Sequence, residues 1–600
     1  MILLEYLGVL FITLLLLSHI VLRHYASPQT SCPVYFLSTL SFALAFSSTI
    51  LLPVDLSITK NITDDEDNAD DFINGTMLPW HILFWSTFVL AWVILPLVRE
   101  MLLSGEFTAW NRFKDGMRIM IIGHLILLGA VTLFIFWLAM HLHEWNVLPV
   151  LITLGNTYGL LIVAVLLGYG LVAIPRGLWR EADPQYELRK VYIMATKADD
   201  SLFEAVWALQ DVEFEIDLSV SRINDLDDGV REDLFYKFCV NELLHRKSET
   251  AQLTQELNMR RTNIEQSRDL EEQSNEGFCT RPTMAELVKL HRKLKRAQEN
   301  LSNAEQKWNA IVQKERKLSG ISPENGGETA TTTPLSPAAV SVTDVPLLST
   351  ESRFKYCNAR MQYIWLRYLR PCSFRLYAIL TAILSAAILW SEATLSSKYN
   401  LSPFALVQQY LADDEADNDG FLFQLAALIP LLYMSICVSR SFFNVSLFGP
   451  FKLRGNRQSH GVALVFNAQY LVRLQFSLAY NYLLMLKYDT SDSAFSKFLG
   501  QMDVIPLFGS SFPVYAPLLT IFLSLFTVCN LYARLLNILG FDHQDALLVG
   551  DRETLDSKVN DGKILIRQYA NGVITNRPVL SLGSNDSQDG KEKSWSNSII

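Results

Sequence analysis

The chain has 600 residues, half of them hydrophobic, and a mean hydropathy of +0.20. Only 19 % of its residues are charged, too few to coat a soluble chain of this length, so the composition excludes an ordinary soluble protein. The net charge of −10 is modest and unevenly spread, which argues against nucleic acid as a partner.

A helix crossing ~30 Å of hydrocarbon needs ~20 mostly apolar residues. In chain order, the stretches that meet or approach this are residues 2–22, 34–54, 80–103, 119–140, 148–174, 376–392, 421–438, 461–486 and 514–540. Five precede a long polar insert and four follow it. The expected fold is an all-α polytopic membrane protein with nine transmembrane helices (5+4) and a large cytoplasmic helical coiled-coil insert. The domains expected are transmembrane helices 1–5 over residues 1–175, a cytoplasmic coiled-coil domain over 176–318, and a disordered linker over 319–352. A basic-aromatic interfacial segment over 353–375, transmembrane helices 6–9 over 376–540 and a cytoplasmic tail over 541–600 complete the chain. The first stretch lacks a basic n-region and an A-x-A-type cleavage site, and so reads as a retained span rather than a signal peptide.

Lysine and arginine set the orientation. With the N-terminus placed outside, inside loops carry Arg23, Arg112, Lys114, Arg118, Arg440, Lys452, Arg454 and Arg457. Outside loops carry only Lys60, Lys398, Lys487 and Lys497, together with acidic runs at 64–71 and 413–419. The insert and the C-terminus are therefore expected inside, which requires an odd number of spans. Sequons at Asn61, Asn74 and Asn400 fall in outside loops and are the candidate glycosylation sites.

Within the insert, 197–220 and 233–257 read as helices. The clearest pattern is Leu287, Leu290, Leu294, Ala297, Leu301, Ala304, Trp308 and Ile311, an alternation of three- and four-residue steps. This is the a/d seam of a coiled coil. An intramolecular hairpin and a partner-binding or dimerising coil bury the same seam, so both stay open, and a homo-oligomer is allowed. Residues 319–350 are rich in Ser, Thr, Pro and Gly and read as a linker. Tyr356, Tyr363, Trp365 and Tyr368, interleaved with Arg353, Arg360, Arg367, Arg370 and Arg375, suit a helix lying on an anionic inner leaflet.

Ionisable groups are costly in hydrocarbon and face a bundle interior or a cavity. Asp55 ends span 2, Glu392 ends span 6, Arg473 lies near the middle of span 8, and Arg534 lies in the inner half of span 9. Such groups either line a pathway for an ion, small solute or lipid head group, or lock the bundle. With a single deeply placed charge, Arg473, locking is the preferred reading. Gly168-Tyr169-Gly170 in span 5 allows close helix approach. No GxxxxGK[ST], HExxH, GxSxG or DFG motif is present, and no Cys/His spacing suits zinc. No catalytic residue, cofactor or metal is expected. At the C-terminus, Ser598-Ile599-Ile600 fits a weak carboxylate-recognition pattern for PDZ-type domains.

Several span-end motifs coincide. Leu52-Pro53-Val54-Asp55 closes span 2, and Gly168-Tyr169-Gly170-Leu171-Val172-Ala173-Ile174-Pro175-Arg176-Gly177-Leu178-Trp179 closes span 5. Trp390-Ser391-Glu392 closes span 6, and Arg534-Leu535-Leu536-Asn537-Ile538-Leu539-Gly540-Phe541 closes span 9. Val559-Asn560-Asp561-Gly562-Lys563 follows. Together they resemble the limb-region (LMBR-type) membrane protein family, most closely its domain-containing protein 2 branch. The resemblance implies nine spans, an outside N-terminus and a cytoplasmic coiled coil after span 5. It further implies regulation of G-protein-coupled receptor signalling, adrenergic type included, at the plasma membrane, with protein partners reached through the coiled coil. Other members imply the alternative of a transporter or endocytic receptor for a small or lipid-like ligand, in an endolysosomal membrane. Arg473-Leu474-Gln475-Phe476 departs from the proline-containing run common in relatives.

Overall fold

Hydrocarbon offers the backbone no hydrogen-bond partner but itself, so apolar runs of this length fold as helices. The structure, a computed structural model, describes residues 2–62, 69–142, 147–224, 234–258, 282–319, 365–395, 397, 399, 401–412, 420–444, 451–453, 455, 457–486, 493–499, 512–531 and 552–570. In chain order the helices are α1 Ile2–Tyr25, α2 Cys32–Ile62, α3 Ala69–Val89, α4 Leu95–Leu103, α5 Ala109–Leu142, α6 Val147–Glu181, α7 Pro184–Asn224, α8 Leu234–Asn258 and α9 Met284–Ser319. Then follow α10 Arg370–Ala393, α11 Pro403–Ala412, α12 Phe421–Asn444, α13 Gly461–Leu486, α14 Ala494–Leu499, α15 Phe512–Val528 and α16 Arg552–Ala570. A π-helical turn, Leu90–Ile94, joins α3 to α4, and another, Trp365–Leu369, leads into α10. No strand occurs among the described residues, only an isolated bridge between Ala26 and Ser459.

Among the described residues, eight helices are long and apolar enough to cross a membrane: Tyr6–Tyr25, Cys32–Thr59, Thr76–Leu103, Ala109–Phe134, Thr157–Glu181, Arg370–Ala393, Phe421–Phe443 and Gly461–Leu486. The expected ninth, 514–540, differs. Its described helix, α15, stops at Val528, and its apolar part Pro517–Val528 is too short to count as a span. The stop has a physical cause. Asn530 takes a left-handed φ of 57°, and Arg176 donates to the carbonyls of Thr527 and Val528 at 3.0 and 2.9 Å and to Asn530 Oδ1 at 2.6 Å. A cation on the last carbonyls suits a helix C-terminus. Arg534 lies outside the described residues, as do the linker from 320, residues 353–364 of the interfacial segment, and the tail from 571.

The described chain divides into two compact units. The first comprises Met1–Arg99, Met120–Arg189 and Arg316–Asp551. Its centre is α13, which is buried nearly all round, from Val462 to Leu486. Helix α6 packs beside α12 and α15 through its glycines. A Cβ on Gly168 would lie 2.8 Å from the Thr520 carbonyl oxygen, and one on Gly170 would lie 2.6 Å from that of Cys437. Only hydrogen fits, so backbones meet where side chains elsewhere hold them apart. The second unit comprises Glu100–Ile119, Lys190–Glu315 and Arg552–Ile600. Its core joins Leu202, Leu209 and Ile216 of α7, Tyr236, Cys239 and Leu243 of α8, and Leu287, Leu294 and Leu301 of α9.

Substituting Gly170 with Leu should abolish the monodisperse peak of the detergent-solubilised protein in size-exclusion chromatography. The same change at Gly177, whose added Cβ would meet no atom within 4 Å, should leave the peak intact.

Candidate functional site

Three of the sequence-selected charges lie in the first unit, each at a different point, and each is held by protein groups. Asp55 accepts the Trp80 indole N–H at 3.2 Å and the backbone N–H groups of Ala494 and Phe495 at 3.2 and 2.8 Å. It thereby caps the short helix α14. Trp80 is fully buried and packs edge-on against Phe495, ring centres 4.9 Å apart. Glu392 accepts the Asn481 amide of α13 at 2.8 Å through Oε1, while its Oε2 is buried without a hydrogen bond. Arg473 donates to the Ala91 carbonyl at 2.7 Å and sits over the Trp92 ring at 4.1 Å and the Tyr470 ring at 5.6 Å.

Ala91 lies inside the π-helical turn Leu90–Ile94. A π-turn disturbs the regular i to i−4 ladder and leaves carbonyls to seek other donors. The guanidinium meets one there, and two aromatic faces share its charge. Gln475 Oε1 accepts from Thr49 of α2 at 3.4 Å and Ser435 of α12 at 3.2 Å. The arrangement ties α13 by polar contacts to α2, α10, α12 and the α3–α4 junction. It brings no two of the selected charges together, and no group of His, Cys, Asp or Glu among the described residues is placed to hold a metal.

In the second unit, α9 opens with a reciprocal capping box. Thr283 N–H donates to Glu286 Oε2 at 2.9 Å, and Glu286 N–H donates to Thr283 Oγ1 at 3.3 Å. From there Leu287, Leu290, Leu294, Ala297, Leu301, Ala304 and Trp308 are buried in turn. Ile311 is half-buried, and Val312 takes the buried position instead. A straight helix at 3.6 residues per turn drifts ~20° per heptad from a 3.5 repeat, which by this point moves the buried line one residue on. Lys293 pairs with Glu215 of α7 at 2.6 Å, and Lys247 of α8 pairs with Asp217 of α7.

The segment Glu100–Ile119 of this unit clamps α9. His291 donates from Nδ1 to the Gly105 carbonyl at 2.6 Å and stacks on Phe107, ring centres 4.5 Å apart and 10° from parallel. Asp115 Oδ2 accepts from Ser104 at 2.6 Å and from Arg292 at 3.0 Å. Lys295 donates to the Leu102 carbonyl. Burial pushes the His291 imidazole from its ordinary 6.5 down to about 4, against the Gly105 bond and with help from Arg246, Arg112 and Lys295. Burial likewise holds the Lys295 ammonium low and the Glu299 carboxyl high, with their mutual attraction opposing both shifts. At the other end α16 joins the unit. Trp308 meets Tyr569 edge-on at 5.6 Å, and a Cβ on Gly562 would lie within 2.0 Å of the Tyr192 carbonyl oxygen. Helix α16 crosses α7 with backbone against backbone.

Residues 4–532 match the family model described as LMBR1-like membrane protein. The chain belongs to that family. It is 27 % identical over 506 residues to the human protein named G-protein coupled receptor-associated protein LMBRD2, covering 82 % of this chain and 68 % of the human one. The protein of the same name from Xenopus laevis is 26 % identical over 504 residues, covering 82 % and 66 %. That from Gallus gallus is 24 % identical over 573 residues, covering 89 % and 79 %. No solved structure matches.

In this LMBR1-like chain, the side chains of Asn61 and Asn74, and Asn400 entirely, lie outside the described residues. The Gly105–Phe107–His291 clamp and the docking of α16 escaped the sequence reading. The polar set Asn467, Gln469, Gln475 and Asn481 was visible as the lowest mean hydropathy of the eight spans, 1.2 for Gly461–Leu486.

Because the folded-state value of His291 lies below the unfolded one, the unfolded chain binds the extra proton between pH 6.5 and about 4. Its neutral form stabilises the second unit fully above pH 6.5, and that contribution is lost as pH falls towards 4. Protease protection of the segment 190–315 should fall over this window, and His291→Phe should flatten the dependence. An unchanged pH profile in the variant would show that another group controls it.

Proposed function

We propose that this LMBR1-like protein is a multi-pass membrane scaffold that regulates G-protein-coupled receptor signalling, adrenergic type included, by presenting its central helices to cytoplasmic partners. The observation that carries this reading is the name shared by its relatives in human, Xenopus laevis and Gallus gallus, G-protein coupled receptor-associated protein. The existence of a separate compact unit built on the insert supports it, since an arm that recruits partners needs its own core. In this reading α7, α8 and α9 form an antiparallel coiled coil. The chain has nine spans and lies in the plasma membrane with its N-terminus outside. The protein carries out no catalytic step. The hydrogen bonds that hold Asp55, Glu392 and Arg473 within the bundle favour a scaffold over a carrier, whose charged groups must exchange partners during transport.

Deleting residues 197–311 should abolish the effect of the protein on agonist-stimulated cyclic AMP in cells while surface biotinylation persists. Full regulation by the deleted form would sink the adaptor reading. Orientation has its own check. Replacing Asn61, Asn74 and Asn400 with Gln should remove the mobility shift that a peptide N-glycosidase produces on gels. A shift that survives all three changes would place sugar elsewhere and reverse the assigned sides.

A further inference from the structure

Helix α7 is apolar on two opposite faces. One face supplies Leu202, Ala205, Leu209 and Ile216 to the core of the second unit. The other exposes Phe203 at 60 %, Phe214 at 66 % and Leu218 at 45 %, with the half-buried Trp207 edge-on to Phe203 at 5.5 Å. At 3.6 residues per turn, positions 203, 207, 214 and 218 fall within an arc of about 60°, roughly opposite the buried line, and extend about 22 Å along the axis. An amphipathic helix packed on a core turns a polar face outwards. The half-buried Trp207 and the buried Gln210 interrupt this stripe, but exposed large apolar side chains gathered on one face mark an interaction surface.

The charges beside the stripe select its partner. Asp200, Glu204 and Asp211 are exposed, and helical geometry places all three along one edge of it. They make no ion pair among the described residues, whereas Glu215 and Asp217, further round, pair with Lys293 and Lys247. A second copy of the same face would lay carboxylates against carboxylates, and an anionic leaflet would be repelled. A helix with an apolar face and a basic edge satisfies both the stripe and the acids. We propose that residues 200–218 of α7 dock a basic amphipathic helix of a partner protein.

This face rests on the reading of the insert as a signalling arm. The test uses the full chain in phosphatidylcholine nanodiscs, with benzoyl-phenylalanine replacing Phe203 as a photo-crosslinker. The probes are a helical Leu/Lys peptide and its Leu/Glu counterpart. The Leu/Lys peptide should label the protein at least tenfold more strongly. Combining Asp200→Lys, Glu204→Lys and Asp211→Lys should invert that preference. Phe214→Ser with Leu218→Ser, both on the solvent side, should lower labelling about tenfold while circular dichroism keeps its helical amplitude. Equal labelling by both peptides, a preference that ignores the charge reversal, or crosslinks mainly between two copies of the chain would overturn the proposal. Failure of the charge swap while arm deletion still abolishes receptor regulation removes this face alone. Charge-dependent labelling with regulation intact after arm deletion removes the functional reading alone.

Discussion

The first unit depends on one constraint: polar side chains on a helix buried all round must find partners inside the protein, because hydrocarbon supplies none. Helix α13 carries Gln475 and Asn481 into that setting, and their partners come from three other helices. Arg473 reaches a fourth place, the π-turn at Leu90–Ile94. Interhelical hydrogen bonds in membranes average only roughly 0.6 kcal/mol. Their main effect is therefore registry. A slip of α13 by one residue would turn these groups about 100° away from their partners.

The second unit follows water's rules instead. A seam of Leu and Ala is buried on one side of α9, a Lys–Glu pair joins α9 to α7, a Lys–Asp pair joins α8 to α7, and a capping box starts α9. The buried His291 imidazole is kept neutral by its burial, against the pull of the Gly105 carbonyl and with help from Arg246, Arg112 and Lys295. The clamp on α9 thus combines shape, a directed hydrogen bond and a titratable group.

Apolar length and the 3-4 repeat were legible in the sequence because each rests on local periodicity. Seven of the eight seam residues are buried as the repeat requires, and only Ile311 departs, where the drift between 3.5 and 3.6 residues per turn accumulates. Asp55, Glu392 and Arg473 were legible as costly groups, but their partners were not. Trp80, Asn481 and the Ala91 carbonyl are distant in the chain, and nothing in composition pairs them. The end of α15 at Val528 was missed for the same reason, since its cap, Arg176, comes from a different helix. His291 looked like one polar residue within a heptad, and Gly105 gave no sign of its role.

Gly562 and Trp308 place α16 within the same unit as α7 and α9, which has a consequence for biosynthesis. A ribosome delivers α7, α8 and α9 well before residues 552–570, and the three long apolar helices α10, α12 and α13 are made in between. The Tyr192 backbone and the Trp308 ring therefore wait for their partner until residues 552–570 are made. Chains that stop early expose that surface to chaperones and proteases. Completion of the second unit thus reports that α10, α12 and α13 have already been made.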